Sequence, residues 1–108
     1  MALRSFRFNH VVGVDLFEVK NPVDPESKIV MLNCLCWGTN LQVVSRVDPP
    51  YSAEKVLSVF SESWLRHFGT PELVICDQGT EFRASFQDRL RERGCLVHVI
   101  DVRSEEHT

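Results

Sequence analysis

The chain has 108 residues and a mass of 12.4 kDa, room for one domain of modest size and too little for two. Its 44% hydrophobic and 25% charged residues, with five glycines and five prolines, exclude a disordered or collagen-like chain, and apolar runs such as Leu73 to Cys76 fall far short of the ~20 residues that cross a bilayer. A formal charge of −3 speaks against an autonomous DNA clamp, which needs a basic excess to neutralise phosphates, yet it suits a metal site built on carboxylates.

The N-terminus carries Arg4 and Arg7 without an apolar segment, so no secretion signal is read there. From Val11 to Val19 the run is β-branched and apolar, which predicts a first strand. The turn-rich stretch Asn21-Pro22-Val23-Asp24-Pro25-Glu26-Ser27 follows. Lys28 to Cys36 and Leu41 to Val47 then predict two further strands around the Gly38-Thr39-Asn40 turn, an antiparallel meander. After Asp48-Pro49-Pro50, Ser52 is placed to cap a helix in which Ala53, Val56, Leu57, Phe60, Trp64 and Phe68 recur at three- and four-residue spacing. Gly69 and then Pro71 supply its stop.

Glu72 to Asp77 contains an apolar run without alternation, the pattern of a parallel strand covered on both faces. Gln78-Gly79-Thr80 turns the chain, Phe82, Phe86 and Leu90 mark a second helix ending at Gly94, and Cys95 to Ile100 predicts a fifth strand. The order is βββ-α-β-α-β. Strand four is expected beside strand one in parallel, with strand five outside it.

Cys34, Cys36, Cys76 and Cys95 form no CxxC pair, so buried free thiols in a reducing intracellular compartment, nucleus or cytoplasm, are expected. Arg83, Arg89, Arg91 and Arg93 are nearly cancelled by Glu81, Asp88 and Glu92, which describes a solvated helix face. His67 is placed to meet the helix dipole and His98 to lie at the edge of the core.

Two acids stand among apolar neighbours. Asp15 lies inside strand one; alone, it reads as an exposed or hydrogen-bonded strand aspartate. Asp77 closes strand four at the carboxyl end of a parallel strand, where open α/β sheets bind ligands, although a turn-forming Asp fits there equally. Together they say more. If the two strands are neighbours, the carboxylates converge, and two such charges at ~4 Å repel by about 4 kcal/mol at an effective dielectric near 20. A divalent cation offsets that directly, and Mg²⁺ is commonly held by one or two carboxylates with waters and phosphates.

Val-Val-Gly-Val-Asp15, the βββ-α order, and Val-Ile-Cys-Asp77-Gln-Gly79-Thr-Glu81-Phe82 followed by a helix, Gly94 and a Val-His98-Val strand resemble the catalytic core of retroviral and long-terminal-repeat retrotransposon integrases. The resemblance covers residues 6–102. It implies an α/β, ribonuclease H-like mixed sheet with the C-terminal helices missing, and an Asp, Asp, Glu metal triad. Residue by residue, Asp15 matches the first acid and Asp77 the second, both ligands of Mg²⁺ or Mn²⁺. Gly79 matches the tight turn, Phe82 a core position, and Glu81 a position beside the metal or against DNA. The implied partners are element ends and target DNA. A homo-oligomer is admitted and a membrane is not implied.

The family's third carboxylate would fall a few residues beyond Thr108, and Glu105 and Glu106 lack the context that precedes it. The family's zinc module and basic C-terminal domain have no counterpart in this sequence. The stretch Arg103-Ser-Glu-Glu-His-Thr108 coincides with the translated start of a common short-read sequencing adapter and offers nothing apolar to bury, so residues 103–108 are expected to be a non-native or disordered tail. The expected function is therefore that of an integrase fragment, inactive by itself. The rivals are a ribonuclease H or resolvase-type nuclease of the same fold, a receiver domain, which needs a helix directly after strand one, and a non-catalytic remnant.

Overall fold

The computed structural model of the chain describes residues 7–77 and 84–100. Five strands, β1 (Val11–Lys20), β2 (Lys28–Cys36), β3 (Gln42–Val47), β4 (Leu73–Asp77) and β5 (Leu96–Ile100), form one sheet in the order β3-β2-β1-β4-β5. The three N-terminal strands pair antiparallel, whereas β1 with β4 and β4 with β5 are parallel. This is the expected mixed α/β sheet, and its strand order is compatible with the ribonuclease H-like class. No helix among the described residues is long and apolar enough to cross a membrane.

The helices are α1 (Ala53–Phe60), α2 (Arg66–Phe68) and α3 (Ala84–Glu92). Ser52 caps α1 as its pattern predicts, its Oγ accepting from the Lys55 N–H at 3.1 Å. The predicted single helix to Phe68 is not continuous α-helix, because a π-helical turn spans Ser61–Leu65. Within it the Ser63 hydroxyl donates to the Val59 carbonyl at 2.7 Å, competing with the Ser63 N–H for its α-helical acceptor. The wider turn shifts the apolar stripe, so that the adjacent residues Trp64 and Leu65 are both buried.

One sheet face and the helices enclose the core. Along β2 burial alternates cleanly, with Val30, Leu32, Cys34 and Cys36 turned inward. These meet Val12 and Val14 of β1, Val74 and Cys76 of β4, Val56 and Phe60 of α1, and Phe86 and Leu90 of α3. The Phe60 and Phe86 rings, 6.0 Å apart, join the two helices. All four cysteines are buried and free.

Asn9, just before β1, holds the layers in register. Its Oδ1 accepts from the buried Trp64 indole at 2.7 Å, while its Nδ2 donates to the carbonyls of Phe68 at 2.9 Å and Gly69 at 3.2 Å. Its backbone sits at φ 64°, left-handed space that Asn tolerates better than most residues, and Gly69 at φ 84° ends the helical segment opposite it. Next along, the Asn9 and His10 carbonyls accept from the N–H groups of Glu72 and Leu73, which starts the β1/β4 ladder.

Replacing Asn9 by Ala strands the buried Trp64 donor and two helix-end carbonyls. The expected cost is about 2 to 3 kcal/mol of unfolding free energy. Urea denaturation checks it, and a double-mutant cycle with Trp64→Phe should show that the two losses are not additive.

Candidate functional site

The parallel ladder between β1 and β4 pairs Val11 with Leu73, Val12 with Val74 and Gly13 with Ile75. Asp15 and Asp77 each lie two residues beyond the last of these pairs. Because side chains alternate with period two, both carboxylates leave the same sheet face at the same level, Asp15 from the middle of β1 and Asp77 from the carboxyl end of β4. They line one cleft of about 280 Å³ with Gly13, Asn33, Trp37 and Ile75.

Asp15 also faces Asn33 across the β1/β2 pair. The Asn33 Oδ1 is engaged, accepting from Gln42 Nε2 at 2.7 Å. Burial pushes the Asp15 carboxyl above its ordinary pKa, the negative charge of Asp77 pushes it the same way, and the Leu16 N–H, donating to it, pulls partly back. The pair therefore carries the like-charge repulsion that a bound cation relieves.

The donor chemistry is that of hard oxygen. Cys76 precedes Asp77, but its side chain is buried in the core, and its thiol is pushed up to about 11 by burial and further by the Asp77 charge, with Arg91 acting against them. It stays protonated at neutral pH and is no metal ligand. Two carboxylates without a thiolate fit Mg²⁺ or Mn²⁺ better than zinc. Among the described residues no group of three or more His, Cys, Asp or Glu could hold a metal ion, so Asp15 and Asp77 form a two-acid set.

The other predicted positions are not brought to this cleft by the described structure. Gly79, Glu81, Phe82 and Arg83 lie outside the described residues, as do Glu105, Glu106 and the tail from Arg103 to Thr108. His98 pairs with Ile75 on β5 and is exposed, on the same sheet face but short of the cleft. His67 lies in α2, its ring 6.0 Å from that of Phe68. Asn33 and Trp37 are cleft residues that sequence reasoning missed. The available signal was Gly13, since a glycine inside a strand marks a close approach by another group.

No family model matches the chain, and no curated protein matches it. Solved structures do match. One is the simian T-cell lymphotropic virus intasome in complex with the PP2A regulatory subunit B56 gamma, with a TM-score of 0.77 at 13% identity over 90% of this chain and 34% of that one. Two are HTLV-2 integrase catalytic core domains in complex with magnesium. The trimeric form gives a TM-score of 0.73 at 16% identity over 92% of this chain, and the dimeric form 0.73 at 17% over 91%. This chain spans 64% of each HTLV-2 chain and about a third of the intasome chain. At such identities the likeness is one of fold, and the fold is integrase-like.

Proposed function

We propose that this chain is part of an integrase catalytic domain, residues 6–102, whose intact parent trims the ends of element DNA and joins them to target DNA. The observation that carries the reading is the placement of Asp15 and Asp77 on one face, each two residues past the end of the parallel β1/β4 ladder and lining one cleft, in a fold similar to integrase cores. Asp15 and Asp77 would hold Mg²⁺ or Mn²⁺ there, and a metal so held polarises a phosphate and activates an attacking oxygen. The magnesium complexes of the similar HTLV-2 cores support the choice of ion.

The chain's own residues do the positioning. The β1/β4 ladder fixes the backbone beneath both acids, and the Leu16 N–H orients the Asp15 carboxylate. Two acids hold a metal more weakly than three. On this reading the 108 residues bind the ion weakly and neither process nor join DNA.

Titrating Mg²⁺ or Mn²⁺ by calorimetry or NMR should show weak saturable binding that Asp15→Asn and Asp77→Asn each abolish. An unchanged response in both variants sinks the site.

The raised pKa of Asp15 adds a pH test. The folded chain holds that proton more tightly than the unfolded chain, so its contribution to stability is complete below the ordinary value of 3.8 and is lost as pH rises through the raised value. In metal-free buffer Asp15→Asn should therefore be more stable than the parent at neutral pH. The advantage should vanish below pH 3.8, and at neutral pH Mg²⁺ should narrow it by stabilising the parent alone. Urea midpoints measured across pH, with and without the ion, check both signs.

A further inference from the structure

The cleft that holds the two acids contains an aromatic side chain with no assigned part in metal binding. Trp37 follows β2, and its backbone N–H donates to the Val11 carbonyl at 3.0 Å, extending the β1/β2 pairing by one step. The turn behind it is tied by the Cys36 N–H to the Leu41 carbonyl at 2.9 Å and by the Asn40 N–H to the Cys36 carbonyl at 2.8 Å. The indole therefore stands on a fixed base. It crosses to β1 and turns its Nε1 edge toward Gly13, where a Cβ would come 3.0 Å from Nε1 and 3.8 and 3.9 Å from Cε2 and Cδ1, so the absence of a side chain at Gly13 creates its seat. Although packed in this way, Trp37 remains 39% exposed.

Trp37 is thus a rigid, half-open aromatic surface along the strand from Asp15. Gly13 and Asp15 are two residues apart, ~7 Å along β1, a span that one nucleotide covers between its base and its phosphate. The described lining of the cleft includes no Lys or Arg. A nucleic acid strand entering it finds two carboxylates and apolar surface, so at this point its phosphate needs the cation and its base needs a stacking partner.

We propose that Trp37 is a positioning residue that stacks on an unpaired nucleobase of the strand whose phosphate is held at Asp15 and Asp77. This rests on the metal-dependent nucleic-acid reading above and adds the contact that orients the strand. A purely structural role, an aromatic ring covering a strand glycine, is the competing account.

The chain has two tryptophans, and the second, Trp64, is fully buried, so acrylamide reports mainly on Trp37. The test adds a short single-stranded oligothymidylate to the full chain in Mg²⁺, with an abasic strand of the same length as control. The oligothymidylate should quench Trp37 emission and shield it from acrylamide, and the abasic strand should do neither. Trp37→Ala should weaken oligothymidylate binding about tenfold, while Trp37→Phe should stay within about threefold, the range expected for losing or keeping one base–aromatic stack. If Trp37→Ala fails to fold, the emission of the unaltered chain and the Phe variant still decide.

Mg²⁺-dependent binding that Asp15→Asn abolishes, but that is equal for both strands and leaves Trp37 emission unchanged, overturns the stacking role and spares the metal site. No saturable binding of either strand, with the Mg²⁺ response intact, also overturns the stacking role. Loss of the Mg²⁺ response as well removes the metal reading with it.

Discussion

The β1/β4 register is the constraint on which the site depends, and Asn9 anchors it. With one side chain Asn9 satisfies the Trp64 indole and two carbonyls at the end of the helical segment, and with its own carbonyl it receives the Glu72 N–H at the entry to β4. Three pairs of ladder follow, and two residues beyond them stand the acids. A slip of one residue on either strand would turn one carboxylate into the core and leave the other outside. Phe8, Trp64 and Phe68 surround the anchor, with Trp64 and Phe68 edge to face at 4.8 Å, so this polar hub sits in an aromatic shell that limits water's access to its hydrogen bonds.

The topology was legible in the sequence because each element obeyed a simple rule. The β-branched runs, the Ser52 cap, the Gly69 stop and the unbroken apolar run of β4 each point to one structure, and the boundaries of β1, β3, β4 and β5 shift by only one residue. The π-helical turn was not legible, since it arises where Ser63 back-bonds in a helix whose apolar stripe reads regularly. Nor was Asn9, because its hydrogen-bond partners, Cys36, Trp64, Phe68, Gly69 and Glu72, lie 27 to 63 residues away and leave no local pattern. Asp15 and Asp77 were legible as a pair because both interrupt apolar strands. Trp37 was not, because its role depends on a neighbouring strand.

The acids occupy the place where the sheet offers them least support. β1 pairs with β2 from Val12 to Lys20 without interruption, whereas the β1/β4 ladder stops at Gly13 and Ile75. Beyond that point β1 is bonded on one side only, and Val14 is the last buried residue of the strand. Continued pairing would bring the strands to the usual ~4.8 Å spacing and press the carboxylates together. Ending the ladder at Gly13 and Ile75 leaves the pair beyond the last paired residues, in the cleft that they line together.

The composition of the sheet's outer face then decides what besides an ion can enter. Gly13 leaves a slot, Trp37 roofs it, and Ile75 and Ile100 make the remaining wall apolar, so Asp15, Asp77 and Asn33 are the cleft's polar side chains among the described residues. An anionic strand cannot be drawn in by this surface alone, because the nearest fixed charges have its own sign. On the proposed reading its phosphate would be accepted once a divalent cation has neutralised the two carboxylates, and a base would find apolar contact along the wall. Cation and strand would therefore, on that reading, assist each other's binding: the ion would lower the cost of bringing phosphate to the carboxylates, and the phosphate would supply the oxygen ligands that two carboxylates leave wanting.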